Sequence, residues 1–406
     1  MPPRPSLSEI FLVALRLGCT SFGGPVAHLA YFRQEYVVKR GWLDEAHYAD
    51  LVALCQFLPG PASSQTGFGI GYLQRGLAGG LAAWLGFTLP SAILMTGFAY
   101  GIATIGDPGT AGWLQGLKVA AVSVVAQAVW AMGRSLCPDW PRRALALVAA
   151  ALVLWLPFAW SQIVIIAGGA LLGWALFKPS AGGGTISPAD FAQRSPNPAG
   201  LMVPPPFQAT LYLGAFFLLL LALPWLAHVT ANPMLEIFDR LYRSGALVFG
   251  GGHVVLPLLE REVVAPGWVH HDQFLAGYGV AQAMPGPLFT LAAYLGAVMS
   301  HGPGGAIGGT WALLAIFLPA LLLVAGALPF WSALRHQPAA QAALRGANAA
   351  VVGVLLAALY SPVGTAGITD GRTFVLALGG FVALLSGKIP SWAVVVAAAG
   401  VGAVWF

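Results

Sequence analysis

Residues 54–64 read LCQFLPGPASS, and a similar stretch, VAQAMPGPLFT, occupies residues 280–290. Each Pro-Gly-Pro break lies within a long apolar segment, 48–74 or 273–299. Proline removes a backbone donor and clashes with the preceding turn, so each break ends a helix. Irregular backbone at membrane depth is tolerated only where protein or a wet cavity surrounds it. The two stretches therefore predict a duplicated helical membrane protein with broken helices.

Composition supports a membrane location for the whole chain. Of the 406 residues, 58% are hydrophobic and 8% are charged, and the mean hydropathy is +0.78. Soluble domains are about one quarter charged, because their surface must face water. The sequence therefore predicts an all-α polytopic integral membrane protein embedded in a lipid bilayer. The net charge of +5 comes from scattered Lys and Arg, which argues against a nucleic-acid partner.

The two halves of the chain also match outside these breaks. A Gly/Pro/Ser-rich stretch separates them and is typical of a flexible linker. We divide the chain into an N-terminal repeat (1–178), a cytoplasmic linker (179–208), and a linking transmembrane helix with a C-terminal repeat (209–406). The matched pairs are Arg16/Arg243, Gly18/Gly245, Phe22-Gly23-Gly24/Phe249-Gly250-Gly251, Glu35/Glu262, Gly41-Trp42/Gly267-Trp268, Gln56/Gln282, Pro59-Gly60-Pro61/Pro285-Gly286-Pro287, Gly79-Gly80/Gly308-Gly309 and Leu89-Pro90/Leu318-Pro319.

Charged loops predict how the segments are oriented. Short loops rich in Lys and Arg stay in the cytoplasm, which places the N-terminus and the linker there and the C-terminus outside. Six segments, one extra segment at 209–227 and six more make the second repeat inverted. The first two segments of each repeat are either full crossings, giving 13 spans, or re-entrant hairpins, giving nine. Hairpins keep the loop with Arg33, Lys39 and Arg40 cytoplasmic, so we favour them.

Arg16 and Arg243 lie inside apolar segments at matched positions. A charge at membrane depth costs about 2.5–3.5 kcal/mol, so it needs a partner or a function. One interpretation is snorkelling to the interface, or a structural pair with Glu9 or Glu236. The other is that both guanidinium groups face a shared cavity, where their forked donors bind an oxyanion. The duplication favours the second interpretation.

The Phe-Gly-Gly and Pro-Gly-Pro breaks provide the backbone part of the predicted site. A helix that restarts after a break presents free N–H groups and the positive end of its dipole. Four such ends converging near the midplane would suit a small dianion. The candidate substrate-binding residues are Arg16, Phe22, Gly23, Gly24, Pro25, His28, Gln56, Pro59, Gly60, Pro61, Arg243, Phe249, Gly250, Gly251, Gly252, His253, Gln282, Pro285, Gly286 and Pro287.

Two further residues, Glu35 and Glu262, are candidates for coupling a proton to transport. A salt bridge to Arg33 or Arg261 is at least as good an explanation for them. The sequence contains no catalytic constellation, no metal-ligand spacing and no ATP-binding loop. We therefore predict that the protein is not an enzyme and has no metal and no cofactor.

Together these motifs resemble the chromate ion transporter family. The resemblance covers the chain outside the linker and matches the family's long, two-domain form. It implies a carrier that exports chromate from the cytoplasm across a bacterial inner membrane and confers chromate resistance. The motifs are Phe22-Gly23-Gly24-Pro25 with His28 and Glu35, Gly41-Trp42, Gln56 and Pro59-Gly60-Pro61, and in the second half Phe249-Gly250-Gly251-Gly252, Glu262, Gly267-Trp268, Gln282 and Pro285-Gly286-Pro287. Gly252 replaces the proline and Val255 the histidine, so the halves are not interchangeable.

Several expectations follow from this resemblance. Chromate is the expected substrate and sulfate the expected competitor, and a homodimer is a possible assembly. The alternative function is uptake of sulfate or a related oxyanion by a carrier or channel, because sulfate has nearly the same size, charge and shape. We expect valine at Gly24 or Gly251 to abolish transport, and alanine at Gly79 or Gly308 to be milder.

Overall fold

The structure is a computed structural model that describes residues 4–103, 112–156, 161–177, 201–249, 254–334 and 337–405. Within these ranges the chain forms helices, turns and loops, with no strand. Four of the predicted substrate-binding residues, Gly250, Gly251, Gly252 and His253, lie outside the described residues. The predicted linker does so up to residue 200.

Within the residues that the structure describes, the first repeat contains seven helices. They are α1 (Leu7–Thr20), α2 (Gly24–Phe32, continued by a π-helical turn Arg33–Lys39), α3 (Glu45–Phe57), α4 (Ala62–Ala103), α5 (Gly112–Leu136), α6 (Trp140–Trp155) and α7 (Ser161–Leu176).

A linking helix and the second repeat follow in the same order. They are α8 (Pro206–Thr230), α9 (Pro233–Ala246), α10 (Val255–Val263), α11 (His271–Ala283), a 3-10 turn (Leu288–Thr290), α12 (Leu291–Val298), α13 (Gly305–Ala327), α14 (Pro338–Ala358, continued by a π-helical turn Leu359–Gly364), α15 (Gly371–Leu385) and α16 (Ser391–Trp405). The duplication predicted from the sequence therefore appears as two matching series of helices, with α8 as the extra segment.

Several helices have a polar side-chain cap, whereas α2 has none. The side chains of Ser6, Asp44 and Asp139 accept hydrogen bonds from the first turns of α1, α3 and α6. The cap of α2 is Gly23, which has φ +97° and no side chain to bond the first N–H groups. Glycine adopts this conformation without strain. The first turn of α2 therefore keeps donors that no side-chain cap satisfies.

The segments broken by Pro-Gly-Pro are hairpins, as favoured from the sequence, and each is followed by a second reversal of the chain. The helical path of α4 breaks at Arg75–Gly76 and reverses, so that a Cβ at Gly79 would overlap the carbonyl oxygen of Gly71. In the second repeat Gly296 and Gly308 approach each other in the same way. The helices on either side of each Pro-Gly-Pro break also run antiparallel. The Gln74 amide donates to the Trp42 carbonyl at 2.7 Å in the first repeat, and the Tyr294 hydroxyl donates to the Gln273 carbonyl at 2.9 Å in the second. The breaks form the hairpin tips.

The two repeats are inverted relative to each other. The second part of α4 and its counterpart α13 lie side by side. The N–H of Ala306 donates to the Tyr100 hydroxyl at 2.8 Å, and the rings of Trp84 and Phe317 are 5.7 Å apart. Residue numbers rise along one helix as they fall along the other. Equivalent helices that run antiparallel confirm the predicted inversion.

The last helix of each repeat packs against a helix of the other repeat. Gly116 of α5 packs so closely on α16 that a Cβ would overlap the backbone of Ala398. Gly346 of α14 packs in the same way on Gly173 of α7. Small residues permit this close approach between membrane helices. The partner of α5 thus comes from the second repeat, and the partner of α14 comes from the first.

Five helices of the described chain are long and apolar enough to cross a bilayer, whereas α7, α15 and α16 are shorter apolar helices. The pair α15–α16 lies along α5 and does not reach its end. Ser123 on α5 donates to the Ala377 carbonyl at 2.9 Å, and Gly402 returns beside Gly112. The choice between 13 and nine spans therefore stays a prediction, because length and apolar composition alone mark these helices as able to cross a bilayer.

Candidate functional site

The Pro-Gly-Pro tip of each repeat is held by the other repeat. The N–H of Gly60 donates to the Val248 carbonyl at 2.7 Å, and the N–H of Gly286 donates to the Ser21 carbonyl at 2.9 Å. Val248 and Ser21 occupy matched positions, each directly before a Phe-Gly-Gly break. These two N–H groups are therefore engaged with backbone rather than free to bind an anion, contrary to the role expected for Gly60 and Gly286.

An open cavity lies where the first Phe-Gly-Gly break meets the second Pro-Gly-Pro tip. It holds about 510 Å³ of empty space, counted out to its mouth. The lining comes from both repeats and, among the described residues, contains no ionisable side chain. The lining residues are Gly23, Gly24, Pro25, Val124, Gln127, Ala281, Gln282, Met284, Gly286, Leu288, Leu384 and Ser391.

Three helical segments begin at this cavity. Gly24 is the first residue of α2, Leu288 begins the 3-10 turn that leads into α12, and Ser391 is the first residue of α16. The N-terminus of a helix carries a partial positive charge and unpaired N–H groups. The cavity thus combines positive helix ends with the amide side chains of Gln127 and Gln282. Such a lining suits a small anion.

Unpaired polar atoms accumulate next to the cavity. The Gly286 tip sits against Ser91, because a Cβ on Gly286 would lie 2.8 Å from the Ser91 hydroxyl. Around it, Ser21 Oγ, His28 Nδ1 and Thr88 Oγ1 are buried and have no hydrogen-bond partner in the described chain. Buried polar groups normally have partners. Their accumulation indicates that water or a polar ligand completes this region.

The two predicted arginines have different surroundings. Arg243 forms a two-pronged ion pair with Asp239, with Nε–Oδ1 3.0 Å and an Nη2–Oδ2 distance of 2.8 Å. It lines a smaller cavity of about 270 Å³ together with Arg261 and Glu262. Arg16 is exposed on α1 and lines neither of the two cavities described here. The structure therefore does not bring the two guanidinium groups together.

Glu35 and Glu262 lie in matching charge clusters that sequence comparison did not reveal. Arg40 bridges Glu35 and Glu9 at 2.9 and 2.8 Å. Arg240 bridges Glu262 and Glu236 at 3.7 and 2.8 Å.

Each bridging guanidinium also covers a tryptophan, Trp42 at 5.5 Å or Trp268 at 4.5 Å from the ring centroid. The arginines come from unmatched positions, because Pro266 stands opposite Arg40 and Val13 opposite Arg240. Both glutamates are thus ion-paired, with partners other than the predicted Arg33 and Arg261, and proton coupling stays a prediction.

The remaining predicted residues are only partly gathered at the cavity. Phe22 contacts Trp392 beside the cavity, with ring centroids 6.3 Å apart. Gln56, the counterpart of Gln282, is exposed. Pro59, Pro61, Pro285, Pro287 and Phe249 lie in or next to the breaks but are not among the cavity-lining residues.

Sequence reasoning missed Gln127 and Ser391, because their helices reach the cavity only through packing across the repeats. Within the described ranges, no group of three or more His, Cys, Asp or Glu side chains could hold a metal ion.

The family comparison agrees with the two structural repeats. Residues 8–174 and 235–403 each match the family model described as Chromate transporter. These two regions cover most of the chain and leave out the linker and α8. No solved structure gives a significant match.

Several curated proteins are similar over nearly the whole chain. The chain is 27% identical to the probable chromate transport protein of Synechococcus elongatus over all of its own length and 97% of that protein. It is 28% identical to the chromate transport protein of Pseudomonas aeruginosa, over 87% of this chain and 80% of that one. It is 26% identical to the chromate transport protein of Cupriavidus metallidurans, over 98% of this chain and 92% of that protein.

Proposed function

This chain belongs to the chromate transporter family, and from that premise we propose that it exports chromate from the cytoplasm across the bacterial inner membrane and so confers chromate resistance. The transport unit is a multi-pass membrane protein built from two inverted repeats. In such carriers the substrate site lies where the repeats meet, and one repeat moves against the other around it.

The cavity at the Gly24 and Gly286 breaks is the observation that carries the proposal. Chromate is a small tetrahedral dianion whose oxygens accept hydrogen bonds. The cavity offers three helix N-termini and two glutamine side chains, and the lining residues that the structure describes include no carboxylate. Fixed N–H donors can replace part of the ion's hydration without binding it irreversibly. Among the residues predicted to bind substrate, Gly23, Gly24, Pro25, Gln282 and Gly286 line this cavity.

We place the N-terminus and the linker in the cytoplasm and the C-terminus in the periplasm. Arg75 Nε donates to the Pro5 carbonyl at 2.8 Å, and the N–H of Met202 donates to the Leu73 carbonyl at 2.7 Å. The N-terminus, the reversal of α4 and the end of the linker thus share one face, which agrees with the positive-inside argument. A homodimer stays a prediction. The cavity itself does not require one, because one chain already contains both repeats.

Radiolabelled chromate flux in everted inner-membrane vesicles tests the function. Export from the cell appears there as uptake, and we expect saturable accumulation that an imposed proton gradient drives and excess sulfate reduces. Vesicles without the protein are the control. Flux that only follows the chromate gradient would indicate a channel instead. Accumulation confined to right-side-out vesicles, with sulfate preferred, would support the uptake alternative.

A further inference from the structure

The turn between α15 and α16 borders the cavity and carries a lysine. Leu384, near the end of α15, and Ser391, at the start of α16, both line the cavity. Residues 386–390 between them read SGKIP and are all exposed. Lys388 is the middle residue of this turn. Its four-carbon side chain is long and flexible enough to reach over the cavity mouth.

This turn is recessed rather than placed at the end of the helices around it. Going along α5, Gln115 bonds to the Gly367 carbonyl at 3.1 Å and Ser123 to the Ala377 carbonyl at 2.9 Å. Further along the same two helices, Gln127 of α5 and Leu384 of α15 both line the cavity. From Gln127, α5 continues to Leu136, which is about 13 Å at 1.5 Å per residue. Lys388 is therefore a charge held within the thickness of the helical bundle.

Lys388 is a full positive charge beside a cavity whose described lining otherwise has only the partial charges of helix ends. The described residues of the lining include no ionisable side chain, so the helix ends provide only partial positive charge for a dianion. Lys388 forms no ion pair with a carboxylate of the described chain. In the sequence, the stretch at the equivalent position of the first repeat, residues 156–160, reads LPFAW and contains no charged residue.

We propose that Lys388 is a substrate-binding residue whose ammonium group pairs with the oxyanion in the cavity and makes the site prefer dianions over monoanions. The inference rests on the proposed function, because it deepens the same site. It gives the two repeats different tasks. The second repeat contributes the full charge through its α15–α16 turn, and the first contributes the break at Gly23 and Gly24.

Reversible charge replacement at position 388 tests the proposal. Lys388→Cys is made in a Cys19→Ser background, since Cys19 is the exposed one of the three cysteines. An aminoethyl methanethiosulfonate then adds an ammonium group, and a sulfonatoethyl methanethiosulfonate adds a negative charge. Chromate flux is measured after the reagent has been removed. Arg372→Cys is the matched control, because Arg372 is an exposed cation at the other end of α15.

We expect Lys388→Cys to raise the half-saturating chromate concentration on the order of tenfold, the usual effect of losing a charge-assisted hydrogen bond. The aminoethyl adduct should restore it, and the sulfonatoethyl adduct should raise it further. The same series at Arg372 should change little. Inhibition by monovalent perrhenate, relative to divalent sulfate, should increase in Lys388→Cys.

Other outcomes separate this inference from the function on which it rests. Lys388→Cys with normal chromate affinity, or adducts of opposite charge with the same effect, would overturn the role of Lys388. Either result would leave chromate transport by the protein intact. Absence of chromate flux in the unmodified protein would instead reject the proposed function itself.

Discussion

At the scale of single residues, Gly24 is the position where backbone conformation and substrate access coincide. It has φ +76°, and no atom lies within 4 Å of the place where a Cβ would stand. Gly41 has the same properties, with φ +59° and open space, but lies in the loop before α3. Valine at either position introduces backbone strain of about 1–2 kcal/mol. Only at Gly24 does the new side chain enter the cavity.

We therefore expect Gly24→Val to abolish chromate flux and Gly41→Val to preserve most of it. Both variants should reach the membrane at similar levels, which immunoblotting of the vesicles checks. Equal flux in the two variants would show that the anion does not pass close to the break at Gly24.

The ion pair of Arg243 gives a second prediction at this scale. Asp239 is 4% exposed, so Arg243→Gln leaves a buried carboxylate without its partner, which costs about 3 kcal/mol. We expect a clear loss of thermal stability in detergent. The double variant Arg243→Gln with Asp239→Asn should recover most of it, because neither charge remains. If the double variant recovers stability but not transport, Arg243 also serves the substrate.

At the scale of secondary-structure elements, close helix contacts reverse one expectation from the sequence. Alanine at Gly79 was expected to be mild, but its Cβ would overlap the backbone of Gly71 across the reversal of α4. Gly97 lies on the same helix with open space at its Cβ position. We expect Gly79→Ala to reduce the amount of folded protein strongly. Gly97→Ala should be neutral, or stabilising by about 0.5–1 kcal/mol, since alanine favours a helix. Size-exclusion profiles of the two variants measure the difference.

The elements also show which parts of the site the sequence could predict. The Pro-Gly-Pro breaks predicted the hairpin tips correctly, because proline and glycine act on their own backbone. The engagement of the Gly60 and Gly286 N–H groups depends on residues of the other repeat, which local sequence does not specify. The bridging roles of Arg40 and Arg240 were missed for a related reason: they occupy the same place in space from unmatched positions in the repeats.

At the scale of the whole molecule, the exchange of helices makes the two repeats depend on each other. α5 lacks its partner until α16 is present, and α14 needs α7. We expect the N-terminal repeat expressed alone to be degraded. A chain cut within residues 178–200, with both parts coexpressed, should assemble and transport, since all the described residues that line the cavity lie in the two repeats. Copurification of a tagged first repeat with the second checks this. A stable first repeat by itself would contradict it.

Because of the same exchange, helices that pack together are synthesised far apart in time. Nascent chains grow by roughly 5–20 residues per second, so the roughly 250 residues between the end of α5 and the start of α16 take about 10–50 s to appear. Throughout that interval the glycine-lined surface of α5 around Gly116 has no helix to cover it. The membrane insertion machinery must therefore protect an incomplete helical bundle for far longer than a single helical hairpin needs to form. Slow codons near the linker would lengthen this exposure and lower the yield of functional protein.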